Sequence, residues 1–112
     1  MNNKSAKPYL VDPIMKFYTS HQIDLHTAIA DHGFAKADFS FTKKKGRIIA
    51  NHNSSEATFS FMERRESKLD VQKMRVLEEF TYELVIDDGD KEWTDSWEVL
   101  LVRFNEWLVE LS

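Results

Sequence analysis

The sequence predicts an α+β fold in which a four-stranded antiparallel meander forms one layer of a two-layer sandwich and the N- and C-terminal helices form the other. Three observations predict it. Apolar residues recur with a helical period over 14–32, with a period of two over 39–62, and with a helical period again over 97–111. The order of elements is then α-β-β-β-β-α. A chain of 112 residues has the usual length of one domain, so we expect a single domain over 1–112 with residues 1–11 as a loosely ordered arm.

The first predicted helix begins at Asp12-Pro13, because Asp caps free amide groups and Pro is accepted at the first helical position. It runs for about twenty residues and ends at Gly33. The pair Thr19-Ser20 could divide it into two helices, but the unbroken period favours one. The predicted core face of this helix consists of Ile14, Phe17, Tyr18, His21, Leu25, Ala28, Ile29 and His32.

Alternation between phenylalanine and polar residues predicts the first three strands. Phe39 and Phe41 alternate with polar residues in the first strand, and Phe59 and Phe61 do so in the third. A lysine-rich turn joins the first strand to a second at 47–52. Because one face of each half-buried strand is apolar, we expect these phenylalanines to form the core.

The segment that follows fits two patterns. Residues 71–86 fit a helix weakly, and they fit a long strand with Glu78 out of pattern. We predict the strand. The polar run at 63–68, just before it, is predicted to project past the core.

The last helix is predicted from a turn and a cap. The run Asp87-Asp88-Gly89-Asp90 has turn composition, and Asp95 followed by Glu98 resembles a capping box. The predicted core face of the helix consists of Trp97, Leu100, Leu101, Phe104, Leu108 and Leu111, with Trp107 on its flank.

Composition and charge exclude several classes of protein. With 42% hydrophobic residues the chain is too apolar to be disordered, and without cysteine it has no disulfide and no thiolate metal ligand. Because there is no cysteine and residues 1–7 lack the apolar run of a signal peptide, we expect a cytoplasmic protein. Its apolar runs are also too short to span a bilayer. The net charge is −4, but basic residues dominate the first half and acidic residues the last third. A net acidic chain favours a basic partner protein over nucleic acid.

Catalytic and metal-binding motifs are missing from the sequence. It contains no Gly-rich phosphate loop and no G-x-S-x-G nucleophile motif. His21 and His32 share a helix face but lie about 16 Å apart along the axis, too far to bind one ion. The acidic run after residue 86 lacks the spacing of a calcium loop. We therefore predict no catalytic residue, no metal and no cofactor.

Two charged segments are candidate binding surfaces. The acidic segment, predicted to face a basic partner, comprises Asp87, Asp88, Asp90, Glu92 and Asp95. The basic segment lies at a hairpin tip beside strand phenylalanines, as in single-strand nucleic-acid platforms, and comprises Lys43, Lys44, Lys45 and Arg47. Lysines at such a tip also discourage edge-to-edge aggregation, so we keep nucleic-acid binding as the alternative function.

The outer face of the last helix is the most informative feature of the sequence. Val99, Val102 and Val109 lie opposite the core face, with Arg103 and Glu106 beside them. A terminal helix of a small domain should be polar there. We therefore predict a two-fold homodimer through this outer stripe, with coverage by the first helix as the alternative.

These observations favour a non-enzymatic protein-binding module, of the kind formed by small acidic inhibitors, immunity proteins, antitoxins and phage accessory factors. The analogy depends on size, acidity and the missing catalytic motifs. Nucleic-acid binding through 43–47 is the first alternative. The second is a small-molecule binder or enzyme whose pocket is lined by aromatic residues and a histidine.

Overall fold

The architecture is an α+β fold, as predicted, with five strands instead of four. The computed structural model describes the backbone of residues 13–112 and the side chains of residues 21–112. Its elements are α1 (Pro13–Asp31), a 3-10 helix (Lys36–Asp38), β1 (Phe39–Lys44), β2 (Arg47–His52), β3 (Thr58–Asp70), β4 (Arg75–Ile86), β5 (Lys91–Thr94) and α2 (Trp97–Leu111). All neighbouring strands are antiparallel, and their order in the sheet is their order in the chain. The sequence missed β5, because its four residues follow directly on turn residues.

α1 is one continuous helix that begins at Pro13, as predicted. The predicted arm at 1–11 and the side chains of Asp12, Ile14, Phe17 and Tyr18 lie outside the described residues. At the other end Gly33, with φ +84°, donates to Ala30 O, and the next amide donates to Ile29 O. This is a Schellman motif, in which glycine takes the left-handed conformation that stops the helix.

The core lies between the sheet and the two helices. Phe59 and Phe61 are fully buried, and Phe39 is nearly so, which confirms the predicted phenylalanine face. Phe41 is only half-buried, with its ring centroid 5.0 Å from that of His26. The other buried apolar residues come from both helices and from β2 and β4: Leu25, Ala28, Ile29, Ile48, Ala50, Tyr82, Leu84, Leu100, Phe104, Trp107 and Leu108.

Two predictions about α2 were wrong in detail. Its N-cap is Ser96, not Asp95: the Ser96 hydroxyl accepts the Val99 amide at 3.2 Å and donates to the Glu98 carboxylate at 3.1 Å, two bonds that a hydroxyl makes at once. Trp107 is 1% exposed instead of lying on a flank, because the Asp87 carboxylate accepts its indole N–H at 3.2 Å. Of the helices in the described part of the chain, none is both long and apolar enough to cross a membrane.

Truncation of a phenylalanine tests the packing. Phe61→Ala is expected to lower the free energy of unfolding by about 3–5 kcal/mol, because the lost ring leaves a cavity between sheet and helices. Phe41→Ala is expected to lower it by less, because that ring is partly exposed. Urea unfolding of both variants measures the difference. A negligible effect of Phe61→Ala would contradict the burial of this face.

Candidate protein-binding interface

The β3–β4 hairpin is longer than the strands on either side of it. Among the described residues, β2 pairs with β3 only at 58–61 and β5 pairs with β4 only at 82–85, whereas β3 and β4 stay paired as far as Asp70 and Arg75. Residues 63–81 therefore form a two-stranded ribbon that projects from the sheet, which we call the ribbon. This agrees with the predicted projection of 63–68 and with a strand in 71–86, although β4 begins only at Arg75.

The end of the ribbon carries four exposed apolar side chains, Leu69, Val71, Met74 and Val76, which we call the tip patch. They are 63% to 81% exposed. Leu69 and Val76 are cross-strand partners. The turn between them is fixed by a bond from the Lys73 amide to the Asp70 carboxylate at 3.2 Å and by a positive φ of 51° at Met74. Apolar side chains grouped at such a position are typical of a contact surface for another molecule.

Charged side chains along the ribbon contact residues of β4 and β5. The Lys68 ammonium lies 2.9 Å from the Glu79 carboxylate. The guanidinium of Arg65 lies 5.5 Å from the centroid of the Phe80 ring, and that of Arg64 lies 5.3 Å from the centroid of the Trp93 ring. These contacts stiffen the ribbon by cross-strand ion pairing and by cation–π attraction.

The base of the ribbon is attached to both helices through His21. Its imidazole stacks on the Trp97 ring at 3.7 Å and lies 3.8 Å from the Glu63 carboxylate, which also accepts the Tyr82 hydroxyl at 3.0 Å. The Trp97 indole donates to Asp24 at 2.8 Å. Burial lowers the pKa of His21, although Glu63 and Asp24 oppose this, and burial together with Glu63 raises the pKa of Tyr82. The arrangement joins α1, α2 and the sheet where the ribbon leaves it.

The other described histidines also make intramolecular contacts. His32 bonds the Asn105 amide oxygen at 2.8 Å, and His52 bonds the Ser55 hydroxyl at 2.6 Å. His26 bonds Gln22 at 2.9 Å. Within residues 21–112, no three side chains of metal-ligating types come together as an ion would require.

A depression between α1 and β1 is the pocket that a small-molecule binder would use. It has a volume of about 510 Å³, and it is lined by Gln22, His26, Lys36, Ala37, Phe39 and Phe41. This lining supplies a histidine and aromatic rings, as the small-molecule alternative requires. None of its described lining residues is a carboxylate that could act with the histidine as an acid–base pair.

The acidic residues singled out from the sequence lie within β5 and beyond both of its ends. Asp87 accepts the Thr58 amide at 2.9 Å in addition to the Trp107 indole, so it ties α2 to the sheet. Glu92 accepts two bonds from Arg103, at 3.0 and 2.9 Å, which lower its pKa. Asp88 and Asp90 are exposed in the β4–β5 turn, whereas Asp95 is exposed at the opposite end of β5, beside the ribbon.

The basic hairpin lies at the tip of β1 and β2, with Lys43, Lys44 and Lys45 exposed. Arg47 is turned onto the face of the sheet that points away from the helices. There it pairs with the buried Glu83 carboxylate and donates to the Ser60 hydroxyl at 3.0 Å. Arg47, one of the predicted nucleic-acid contacts, is therefore already engaged within the chain.

The outer valines of α2 are exposed, as the sequence predicted. Val99, Val102 and Val109 are 49%, 56% and 58% exposed. The described part of α1 contacts α2 on another side, through Trp97 and Asn105, and does not cover them. Arg103 and Glu106, which the sequence predicted to lie beside the valines, form an ion pair at 2.6 Å within one chain. The Arg103 guanidinium also pairs with the Glu92 carboxylate. The exposed surface is therefore the valine stripe itself.

Sequence reasoning missed the tip patch. It treated the apolar residues of 71–86 as one side of a half-buried strand, because alternation looks the same whether or not a helix covers the strand. The polar run at 63–68 could have indicated the patch. If β3 projects past the core along this run, the part of β4 that pairs with it must project as well.

Comparison with known proteins adds no functional information. No protein-family model, no curated protein and no solved structure matches this chain.

The attachment at His21 predicts a dependence of stability on pH. Because burial lowers the pKa of His21 below its ordinary value of 6.5, the unfolded chain takes up protons before the folded one does. The contribution of neutral His21 is complete above about pH 7 and declines as the pH falls through 6.5. Burial and the nearby charge of Lys36 lower the pKa of His26 as well, so His26 also makes the folded state less stable as the pH falls.

Urea unfolding of the wild type between about pH 7.5 and 5.5 is expected to show this decline, and His21→Gln is expected to make it shallower. The same measurement on His26→Gln shows how much of the decline in stability is due to His26. A stability that rises on acidification over this range, or a slope unchanged by both substitutions, would contradict the assignment.

Proposed function

We propose that the protein is a non-enzymatic protein-binding module that contacts its partner through the tip patch. The main observation in support of this proposal is that four apolar side chains are exposed at the end of the ribbon. Burial of each such side chain contributes roughly 1.5–3 kcal/mol, so a partner that covers the patch gains a substantial part of its binding free energy there. Small inhibitors and immunity proteins are the functional class that this proposal favours.

The construction of the ribbon supports this proposal. A two-stranded hairpin is marginally stable in water without a third strand or a helix beside it. Here the sheet anchors one end, and the contacts of Arg64, Arg65 and Lys68 hold the rest. An extended, stiffened element with an apolar end suits insertion into a groove of another protein.

We propose a cytoplasmic location for the protein, because the chain has no cysteine that could form a disulfide in an oxidising compartment. The exposed carboxylates Asp88, Asp90 and Asp95 are proposed as secondary contacts that attract a basic surface of the partner. They lie away from the tip patch, so they affect the rate of association more than its strength.

Binding of single-stranded nucleic acid is the second candidate function. The observation that favours it is Trp93, a 53% exposed ring beside Arg64 on the side of the sheet that also carries Lys91 and Arg47. Aromatic and cationic side chains together can stack bases and hold phosphates. The pairing of Arg47 with Glu83 weakens this candidate, and protein binding remains the leading function.

Polar substitution of the tip patch tests the leading function. The double change Val71→Ser with Met74→Ser is expected to weaken partner binding at least tenfold, because it removes two of the four buried contacts. The assay is affinity capture from the native host, with the protein enriched by wild type identified and then titrated in purified form. Ile23→Ser is the matched control, since it removes a comparably exposed apolar side chain that belongs to α1 and to neither proposed contact surface. Equal binding by the double variant would remove the tip patch from the interface.

Self-association through the valine stripe of α2 is a separate part of the proposal. A two-fold contact places the stripe against itself, which buries three valines from each copy. Sedimentation at high micromolar concentration is expected to show a dimer for the wild type and a monomer for Val102→Glu, and the variant monomer is expected still to unfold cooperatively. A wild-type monomer under these conditions would contradict the dimer.

A further inference from the structure

Two backbone hydrogen bonds determine which groups point outward along the ribbon. The His52 amide donates to Ala57 O at 2.9 Å, and the Asp87 amide donates to Thr58 O at 2.8 Å. In antiparallel sheets the backbone groups of successive residues point to opposite neighbours. Odd-numbered residues of β3 therefore direct their N–H and C=O groups toward the β2 side, and even-numbered residues direct theirs toward β4.

Past Phe61 no strand of the described chain lies on that side of β3. The N–H and C=O groups of Glu63, Arg65, Ser67 and Leu69 consequently face outward along the ribbon, and we call these groups the open edge. Such an edge is a template for another extended chain, and natural proteins normally shield it.

The cationic side chains of β3 do not provide that shield. Arg64 reaches across the ribbon to Trp93, Arg65 lies over Phe80, and Lys68 pairs with Glu79. All three partners belong to β4 or β5. Each cation therefore leans away from the open edge and leaves the backbone accessible.

Exposed lysines lie where the open edge begins. The pairs Ile48↔Phe61 and Lys44↔Arg47 place the lysine-rich turn of β1 and β2 beside the first residues of the edge. Of the cations at 43–47, Arg47 is paired with the Glu83 carboxylate, whereas Lys44 and Lys45 are exposed. Residues 63–70 carry three cations and three carboxylates, so their own charges balance. An incoming strand therefore meets the exposed ammonium groups of Lys44 and Lys45 where the open edge begins.

We propose that an extended, acidic peptide segment of the partner adds a strand to the open edge of β3. This inference rests on the proposed function and specifies its partner. Main-chain hydrogen bonds along residues 63–70 supply affinity, and acidic side chains next to Lys44 and Lys45 supply specificity. Eight residues span about 26 Å at 3.3 Å each, so a segment that starts at the hairpin ends beside Leu69 in the tip patch.

Synthetic peptides test the proposal on the full chain. The probe is a fluorescent eight-residue peptide of alternating Glu and Thr, and its control alternates Lys and Thr. Fluorescence anisotropy is expected to show saturable, salt-sensitive binding of the acidic peptide and at least tenfold weaker binding of the basic one. Equal affinity for both peptides would overturn the proposal.

The decisive variant is Ser67→Pro, which deletes an amide of the open edge and spares the hydrogen bonds to β4. Ser67→Ala is the control, because it removes the hydroxyl and keeps the amide. Peptide affinity is expected to fall at least tenfold with Ser67→Pro and to stay unchanged with Ser67→Ala. Binding that survives Ser67→Pro in a protein with normal thermal unfolding would overturn strand addition.

A charge variant keeps the proposal testable if Ser67→Pro fails to fold. The double change Lys44→Glu with Lys45→Glu is expected to weaken binding of the acidic peptide at least tenfold and to reduce the salt dependence of that binding. Unchanged affinity would overturn the proposal, as would full displacement of the peptide by oligothymidylate, which would assign the surface to nucleic acid. A wild-type oligomer that Ser67→Pro dissolves would assign the edge to a second copy.

The two proposals fail separately. If the acidic peptide does not bind while partner capture still depends on Val71 and Met74, strand addition is wrong and the proposed function stands. If the peptide binds through Ser67 but partner capture is indifferent to the tip patch, the tip is wrong as the principal contact.

Discussion

β3 and β4 pair without interruption from Phe59 and Ile86 to Asp70 and Arg75, and the other features of the molecule depend on this ladder. Its register puts Phe59, Phe61 and Leu84 on one face, where the helices cover them. Because the neighbouring strands are shorter, the same ladder continues into the ribbon. A slip by one residue would turn the phenylalanines to the uncovered face, so the burial of the core fixes the geometry of the ribbon as well.

Charged side chains join the two layers at several points. Asp87 binds an amide of the sheet and the indole of Trp107, and Arg103 binds Glu92 of β5. These residues were singled out from the sequence as possible surfaces for a partner or a second copy. A linear sequence shows the charge of a residue but not the distance to its counter-charge. Structural and recognition roles of a carboxylate therefore look alike until the fold is known.

Periodicity was sufficient to predict both helices, the first three strands and their antiparallel order, because burial of one face imposes it. It could not distinguish Ser96 from Asp95 as the cap of α2, since both residues accept an amide proton. It placed Trp107 on a flank because a wheel ranks a residue by angle alone. The partner that permits an indole to be buried, Asp87, is twenty residues away in the sequence. The open edge has no sequence signal of its own, because it arises where a neighbouring strand ends.

The residues exposed at the end of the ribbon differ from the residues that stabilise the fold. The side chains of the tip patch are largely solvated and contribute little to packing, whereas Phe59, Phe61 and Trp107 hold the layers together. Substitutions at the tip are thus nearly neutral for folding, and substitutions in the core are not. If the tip patch binds a partner as proposed, the residues of the ribbon can change along with that partner while the phenylalanine core stays the same.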